Sequence, residues 1–181
     1  MSFKFILFEG IDGSGKTSLA KELAKRINGT YYYNPPEIIR HLRSYADNSN
    51  PEIRFQYYLL GNYIADMEIR ELLQKNHVVC DWYVFSTIAY HEILLNRKLQ
   101  MPGLLMPDKI IFATADWDEL EKRIKIRESI SKYEEIPFLT KVKKTYDDIF
   151  SKMKNVININ TTNKNPKELI GNLIKELKIR C

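Results

Sequence analysis

Three glycines, a lysine and two hydroxyl side chains lie within a short stretch directly after an apolar run. The stretch reads Gly-Ile-Asp-Gly-Ser-Gly-Lys-Thr and matches the pattern G-x-x-x-x-G-K-[ST] in full. Glycines let backbone N–H groups close around phosphate oxygens at the positive end of a helix. Lys16 is then placed to reach the β- and γ-phosphates, and the Thr17 hydroxyl to ligate Mg²⁺. The pattern predicts a nucleoside triphosphate held by Gly10, Ile11, Asp12, Gly13, Ser14, Gly15, Lys16 and Thr17.

Two acidic residues end apolar segments near this loop. Glu9 comes directly before the loop, and Asp81 follows the apolar segment 77–80. An acid at the end of a strand beside a phosphate-binding loop holds the waters around Mg²⁺. We therefore predict a metal site formed by Thr17, Asp81 and Glu9. For Asp81, a helix N-cap or a structural ion pair is the alternative.

Apolar segments and helical spacings alternate along the chain that must position these residues. The predicted strands are 4–8, 30–33, 77–80, 109–113 and 156–159. The predicted helices are 17–27, 37–45, 51–75, 85–95, 116 or 118 to 127, 138–153, and one that carries residues 169–177. Residues 129–137 are expected to be irregular. Apolar strands that alternate with helices indicate an α/β fold of three layers, with a five-stranded parallel sheet flanked by helices.

Composition limits the class of protein. The 181 residues, 44% of them hydrophobic, fit a single globular domain spanning 1–181. The net charge of +5 suits a polyanionic ligand, and no zinc spacing, RNA-binding aromatic pattern or basic amphipathic helix favours nucleic acid or a membrane. Cys80 and Cys181 form no disulfide framework, and no apolar run is long enough for a signal or membrane span. The expected location is the cytoplasm.

Further segments follow the loop in a specific order. Residues 9–17 read E-G-I-D-G-S-G-K-T, and 81–90 read D-W-Y-V-F-S-T-I-A-Y. Residues 107–112 read P-D-K-I-I-F, and 121–134 contain R-x-x-x-R followed by K-Y-E. Together these segments resemble, over nearly the full chain, the thymidylate kinase family of P-loop nucleoside monophosphate kinases. In that family the corresponding patterns are E-G-x-D/E-x-x-G-K-S/T, D-R-Y-x-x-S-x-x-A-Y, P-D-L-x-x-x-L, and R-x-x-x-R followed by R-F/Y-E.

The resemblance implies a P-loop NTPase fold with a lid at about 127–140, and transfer of phosphate from ATP with Mg²⁺ to dTMP. It also implies a homodimer, formed through the long helix 51–75 and its neighbour. On it, Asp12 accepts a hydrogen bond from the 3′-hydroxyl of the acceptor. Because Gly13 stands where some members carry an arginine, the transition-state cation is expected from the lid. The predicted catalytic residues are Lys16, Asp12, Arg123, Arg127 and Lys132; a solvated helix face is the alternative for the two arginines.

The acceptor side departs from the family pattern. Trp82 replaces the arginine of D-R-Y, which contacts the acceptor phosphate in the family, and the arginine expected near a P-E pair is absent. Leu59 and Tyr63 stand where the family has Phe and Arg in F-x-x-N/D-R. Arg40 and Arg43 are candidate replacements for the missing cations, and Trp82 is a candidate to stack on the base. The predicted substrate-binding residues are Asp12, Leu59, Asn62, Tyr63, Trp82, Tyr83, Ser86 and Tyr90.

Two other functions stay open on the sequence. The missing arginines also fit a nucleotide-binding protein whose acceptor chemistry is lost or changed. A nucleoside kinase needs a base at the end of the second strand, where this chain has Asn34, with Glu37 the nearest carboxylate. A monophosphate acceptor presents an anionic oxygen and needs no protein base, which favours the monophosphate kinase.

Overall fold

A computed structural model describes residues 3–126 and 131–179 of the chain. At its centre is a five-stranded sheet with the order β2-β3-β1-β4-β5, in which every neighbouring pair is parallel. The strands are β1 Phe5–Glu9, β2 Thr30–Tyr33, β3 Val78–Asp81, β4 Lys109–Thr114 and β5 Val156–Asn160. The α/β prediction with five parallel strands is confirmed, and each strand lies within one residue of its predicted bounds.

Helices cover both faces of the sheet. They are α1 Lys16–Arg26, α2 Glu37–Arg40, α3 Arg43–Asn48, α4 Pro51–Leu72, α5 Val84–Leu95, α6 Trp117–Lys125, α7 Ile136–Phe150 and α8 Pro166–Leu177. No helix in the described parts of the chain is long and apolar enough to cross a membrane.

Two predicted helix assignments were wrong in detail. The segment predicted as one helix, 37–45, forms two, because the Leu42 N–H donates to the Ile39 carbonyl and the chain turns there. This turn lets Ile39 and Ala46 both pack against Tyr57 and Tyr58 of α4. The segment 129–137 is not irregular throughout, since Lys132–Glu134 forms a single 3-10 turn and α7 begins before its predicted start at 138.

The central strand β1 is buried on both faces, as its continuous apolar sequence predicts. Phe5 and Leu7 pack into a cluster with side chains from α4, α5 and α7, whereas Ile6 and Phe8 pack against α1 and α8. Successive side chains of a strand point to opposite faces, which explains this alternation. Burying each such side chain contributes about 1.5–3 kcal/mol, so β1 holds the phosphate-binding loop at a rigid edge.

The register of the sheet brings the carboxyl ends of three strands together. Phe8 of β1 pairs with Asp81 of β3, and Asp81 in turn pairs with Tyr33 of β2. Ligands of open parallel sheets bind at this edge, outside the carboxyl ends of the strands. The candidate site is therefore expected where β1 runs into the loop and where β3 runs into α5.

Candidate functional site

The loop between β1 and α1 requires glycine at particular positions. Gly10 has a φ of +148°, and a Cβ added there would lie 2.3 Å from the Ala113 carbonyl oxygen of β4. Gly15 has a φ of +82° and is the N-cap of α1 in the left-handed conformation. Side chains are strained or excluded at both positions. The chain thereby turns tightly at the end of β1 and presents the first amides of α1 at the edge of the sheet.

Lys16 lies folded over this loop and is almost fully buried, at 4% exposure. Its Nζ donates to the Ile11 carbonyl at 3.4 Å and is 3.9 Å from Asp12 Oδ1. The same ammonium lies 4.3 Å from the centre of the Trp82 ring. Long contacts of this kind leave a buried cation incompletely compensated, and phosphate oxygens are stronger partners for it.

Asp81 and Thr17 are two residues of the predicted Mg²⁺ site, and their side chains lie within hydrogen-bonding reach of each other. Asp81 is fully buried, and burial raises its pKa, although the charge of Lys16 and the nearby Thr17 hydroxyl act in the opposite direction. Its Oδ2 accepts a hydrogen bond from the Tyr31 hydroxyl at 3.1 Å. Within the described residues, Asp81 Oδ1 and Ser14 Oγ are buried polar atoms without a hydrogen-bond partner. Such atoms cost free energy unless a ligand or water satisfies them, so these side chains fit hydrated Mg²⁺ and phosphate as partners.

A cluster of at least three His, Cys, Asp or Glu side chains able to hold a metal does not occur in residues 3–126 and 131–179. Thr17 and Asp81 supply one hydroxyl and one carboxylate, oxygen groups of the kind that suit a Mg²⁺ ion bound together with nucleotide phosphates. Thr17 and Asp81 would complete the coordination from the protein side.

Glu9 differs from Asp81 because protein donors occupy both of its oxygens. Oε1 accepts from the backbone N–H groups of Tyr83 and Ser86, at 3.1 and 3.2 Å, and Oε2 accepts from the Tyr146 hydroxyl at 2.9 Å. Burial raises the pKa of Glu9 to about 7 in spite of these hydrogen bonds. Glu9 thus joins the end of β1 to the start of α5 and to α7.

Asp12 links the loop to a second compartment. The Tyr90 hydroxyl, on α5, donates to Asp12 Oδ2 at 2.7 Å. Burial, followed by the charge of Asp12, raises the pKa of Tyr90 far above its usual range, so Tyr90 remains a donor. Asp12 is therefore held at the boundary between Lys16 and a neighbouring cleft.

This cleft, which we call the acceptor cleft, has a volume of about 110 Å³. It lies beside the loop, between α3, α4, α5 and the Lys132–Glu134 turn. Its lining residues are Asp12, Arg43, Asp47, Arg54, Tyr58, Trp82, Tyr90, Ser131, Tyr133 and Glu134. From the predicted substrate-binding set, the structure brings together Asp12, Trp82 and Tyr90 here. Ser86 lines a small adjoining pocket that shares Arg54, Tyr58, Trp82 and Tyr90 with the cleft.

The other predicted substrate-binding residues lie elsewhere. Asn62 is fully buried and bonds to Asn34 and Thr87, at 2.8 and 2.9 Å. Tyr83 is also fully buried and donates to Asp66 Oδ1 at 3.2 Å. Tyr63 is 42% exposed, with its hydroxyl 3.4 Å from the Pro102 carbonyl, and Leu59 is half-buried outside the lining of the cleft.

The cleft face of α4 instead carries Arg54 and Tyr58, which no sequence motif indicated. The two residues are one helical turn apart and share a face, whereas Leu59 and Tyr63 lie on a different face. The available signal was an arginine four residues before an aromatic residue on a long helix, a pattern common on solvated surfaces. Only the packing of α3 and α5 against α4 shows that this face is enclosed.

The predicted lid cations are placed differently from one another. Arg123 donates to the Gly13 carbonyl at 3.2 Å, to Thr161 Oγ1 at 2.9 Å and to the Thr161 carbonyl at 3.1 Å. It therefore braces the loop against the segment that follows β5. Lys132 is exposed, with its Nζ 5.1 Å from the Tyr133 ring centre. Arg127 lies outside the described residues.

Of the two candidate replacement arginines, Arg43 lies in the acceptor cleft and Arg40 does not. Arg43 Nε is 3.4 Å from Asp47 Oδ2, and its Nη1 donates to the Tyr33 hydroxyl at 2.7 Å. Arg40 packs over the Tyr33 ring, 5.3 Å from its centre, and contacts the Pro35 carbonyl.

The family model, the sequence relatives and the solved structures described below all carry the name thymidylate kinase. A sequence model described as thymidylate kinase matches residues 8–174. The probable thymidylate kinases of Methanococcus vannielii and Methanococcus aeolicus are 34% and 35% identical to this chain. The first match covers 94% of this chain and 93% of the relative, and the second covers 96% and 95%.

Solved structures agree at the level of the fold. The thymidylate kinase of Candida albicans superposes with a TM-score of 0.79 at 20% identity, covering 98% of this chain and 92% of that chain. The enzyme from Ehrlichia chaffeensis gives a TM-score of 0.69 at 23% identity, covering 98% and 100%. The predicted P-loop NTPase architecture is confirmed by these similarities. From the match over residues 8–174 and the extent of the sequence relatives, the chain belongs to the thymidylate kinase family.

Proposed function

We propose that the protein transfers the γ-phosphate of ATP to dTMP, giving ADP and dTDP. The observation that carries the proposal is the continuity of two compartments: the phosphate-binding loop and the acceptor cleft meet at Asp12 and Trp82. A donor bound on the loop and an acceptor bound in the cleft would therefore present their phosphates to each other. The names of the sequence relatives favour dTMP as the acceptor.

In the proposed reaction an oxygen of the acceptor phosphate attacks the γ-phosphorus. The bond between that phosphorus and the β–γ bridging oxygen breaks, and ADP leaves. Because the attacking oxygen is already anionic, no protein base is required, and positioning and charge neutralisation supply the catalysis. This agrees with Asn34, which cannot take a proton, at the end of β2.

The residues of the loop, the Mg²⁺ site and the wall of the cleft each have a proposed role in the reaction. The amides of residues 10–17 bind phosphate oxygens, and Lys16 moves from the Ile11 carbonyl to the β- and γ-phosphates. Thr17 and Asp81 would hold Mg²⁺, which when bound neutralises charge on the β- and γ-phosphates. Asp12, oriented by Tyr90, accepts a hydrogen bond from the acceptor sugar. Lys132, on the turn that walls the cleft, is the proposed lid cation.

The test is ADP release from ATP and Mg²⁺ with each common ribo- and deoxynucleoside monophosphate, and with thymidine. We expect the highest kcat/KM with dTMP and no turnover of thymidine. Binding of ATP without ADP release for any monophosphate would favour a nucleotide-binding protein that lacks acceptor chemistry. Turnover of thymidine would instead assign a nucleoside kinase and refute the proposal.

The outer face of α4 supports a homodimer as part of this proposal. Ile53, Leu60, Tyr63 and Met67 are 42–66% exposed and recur at spacings of seven, three and four residues. A stripe of this kind on one helix is self-complementary across a two-fold axis, and burying it would remove an exposed apolar patch. Sedimentation should give a dimer for the native chain and a monomer for Leu60→Asp, and a monomeric native chain would contradict this part.

A cytoplasmic location is also proposed, since Cys80 is a free, buried thiol.

A further inference from the structure

Arg54, near the start of α4, is a buried arginine in the wall of the acceptor cleft. Its side chain is 6% exposed. The guanidinium lies between two tyrosine rings, 4.7 Å from the centre of Tyr58 and 4.0 Å from the centre of Tyr133. Burying an arginine is costly unless it is paired and hydrogen-bonded, so its partners indicate why it is there.

Two side chains fix the orientation of this guanidinium. Nε donates to Asp47 Oδ1 at 3.0 Å, and Nη1 donates to His91 Nε2 at 2.8 Å. His91 Nδ1 in turn donates to the Thr87 carbonyl at 2.8 Å. Burial, followed by the charge of Arg54, lowers the pKa of His91 to about 3, so the imidazole is neutral and Nε2 is an acceptor. Within residues 3–126 and 131–179, Nη2 makes no hydrogen bond, which leaves its N–H groups for a ligand.

Arg54 shares its acidic partner, Asp47, with the second arginine of the cleft. Asp47 Oδ1 accepts from Arg54 Nε and from the Tyr58 hydroxyl, at 3.0 Å each, while Oδ2 is 3.4 Å from Arg43 Nε. In the described part of the chain, this one carboxylate is the only acidic group paired with either arginine. A structural ion pair would need one arginine for one carboxylate. Asp47 is therefore shared between two guanidinium groups, and Asp12 and Glu134 also line the cleft. A phosphate bound beside Arg54 would give this guanidinium a further charge-assisted acceptor.

We propose that Arg54 binds the phosphate group of the nucleoside monophosphate acceptor, in place of the arginine that Trp82 replaces. Arg54 and Trp82 line the same cleft as Asp12, so a phosphate held by Arg54 lies beside the loop that holds the donor. A planar guanidinium held by Asp47 and His91 is preorganised for phosphate oxygens, which a flexible lysine is not. Asp47 and His91 act as positioning residues. This inference rests on the proposed function and adds the residue that substitutes for a missing cation.

The test compares a ligand that has the phosphate with one that lacks it. Dissociation constants of dTMP and thymidine, the latter measured as competitive inhibition against dTMP, are determined for the native chain, Arg54→Gln and Arg54→Lys. We expect Arg54→Gln to weaken dTMP binding about 10- to 100-fold, the size of a lost charge-assisted contact, with thymidine changed less than about threefold. The dissociation constant of dTMP for Arg54→Lys should lie between those of the native chain and Arg54→Gln. The matched control is Arg97→Gln, which removes an exposed arginine that follows α5 and pairs with Glu52 of α4. It should change the binding of neither ligand.

Three results would overturn the inference. Equal weakening of dTMP and thymidine would show that Arg54 supports the fold or the nucleoside. The dissociation constant of dCMP is measured as well. If the variants change the ratio of dCMP to dTMP binding while the ratio of thymidine to dTMP binding stays the same, Arg54 contacts the base and not the phosphate. Unchanged dTMP binding would remove it from the site altogether. ATP binding and thermal unfolding show whether Arg54→Gln is folded, and if it is not, the same ratio is measured for Arg54→Lys.

Failure of the proposed function can be distinguished from failure of the inference on Arg54. If the native chain turns over no monophosphate, both the function and the inference are refuted. If the native chain turns over dTMP while the dTMP-to-thymidine ratio survives in the Arg54 variants, only the inference is refuted.

Discussion

The donor loop and the acceptor cleft adjoin at Asp12, yet they are constructed in different ways. The loop, residues 10–17, depends on backbone conformation: positive φ angles at its glycines and the first turn of α1. The cleft depends on side chains from several helices, such as Arg54 held by Asp47 and His91. Backbone amides bind any phosphate tail, whereas fixed side chains select a particular acceptor. Substitutions on the two sides should therefore differ both in size and in the ligand they affect.

The largest effect is expected for Lys16→Ala on the donor side. Removing the one cation of the loop should lower kcat for ADP release by about 10³-fold, because charge on the transferring phosphate is no longer neutralised. Thermal unfolding checks that the fold survives, and Lys25→Ala, in the last turn of α1, serves as an unaffected control. Normal turnover by Lys16→Ala would contradict the role of the loop.

The next effect concerns the backbone of the loop. Gly10→Ala would place a Cβ 2.3 Å from the Ala113 carbonyl and force a non-glycine residue to a φ of +148°. We expect a loss of about 2–4 kcal/mol in the free energy of unfolding, measured by urea denaturation, together with weaker ATP binding. Gly171→Ala is the matched control, since a Cβ in that part of α8 meets nothing within 4 Å. It should stabilise the protein by about 0.5–1 kcal/mol, and equal losses for both variants would refute the argument.

Glu9 connects the two sides, and its effect depends on pH. Its pKa is about 7 in the folded protein and 4.5 in an exposed chain, so its contribution to stability is fully present below pH 4.5. That contribution is lost as the pH rises through 7, because the buried group must then ionise. The difference in unfolding free energy between the native chain and Glu9→Gln should therefore shift against the native chain by up to about 3 kcal/mol between these limits. If the difference in unfolding free energy between the native chain and Glu9→Gln did not change with pH, folding would not raise the pKa of Glu9.

The smallest effect is expected for Tyr90→Phe at the boundary. The change removes one hydrogen bond to the Asp12 carboxylate, worth about 1.5–3 kcal/mol when a charged group is involved. Asp12 remains close to Lys16, so only part of this energy should appear in acceptor binding. We expect the KM for dTMP to rise about 10-fold while the KM for ATP stays unchanged. Equal changes in both constants would mean that Tyr90 acts on the loop rather than on the cleft.

The loop depends on residues that are neighbours in sequence, whereas the cleft depends on tertiary contacts. This difference also explains which features could be predicted from the sequence. The loop and the strands around it were predictable because each depends on neighbouring residues: the glycines set the turn, and apolar runs such as 5–8 set the buried strands. The partners of Glu9 were not predictable, since Tyr83, Ser86 and Tyr146 come from distant segments. The cleft face of α4, with Arg54 and Tyr58, was not predictable either, because a one-residue shift in a pattern turns the helix face by about 100°.

The arginines show the same limit most clearly. Counting motif positions indicated that cations were missing on the acceptor side, and candidates could be proposed only from nearby sequence. Arg43 was among these candidates, and the structure places it in the cleft. Arg54 was not, because its enclosure depends on His91 and Tyr133, which are 37 residues or more away along the chain. The charged side chains of the cleft are therefore known only once the helices that pack around it are known.

The central claim is that the loop and the cleft form one site for transfer between two nucleotides. Phosphorus NMR of the native protein with ATP, Mg²⁺ and dTMP tests it most directly, because it observes both products. We predict that ADP and dTDP appear in equal amounts, and that neither forms when thymidine replaces dTMP. Formation of ADP and inorganic phosphate without dTDP, or no reaction although ATP is bound, would contradict the claim.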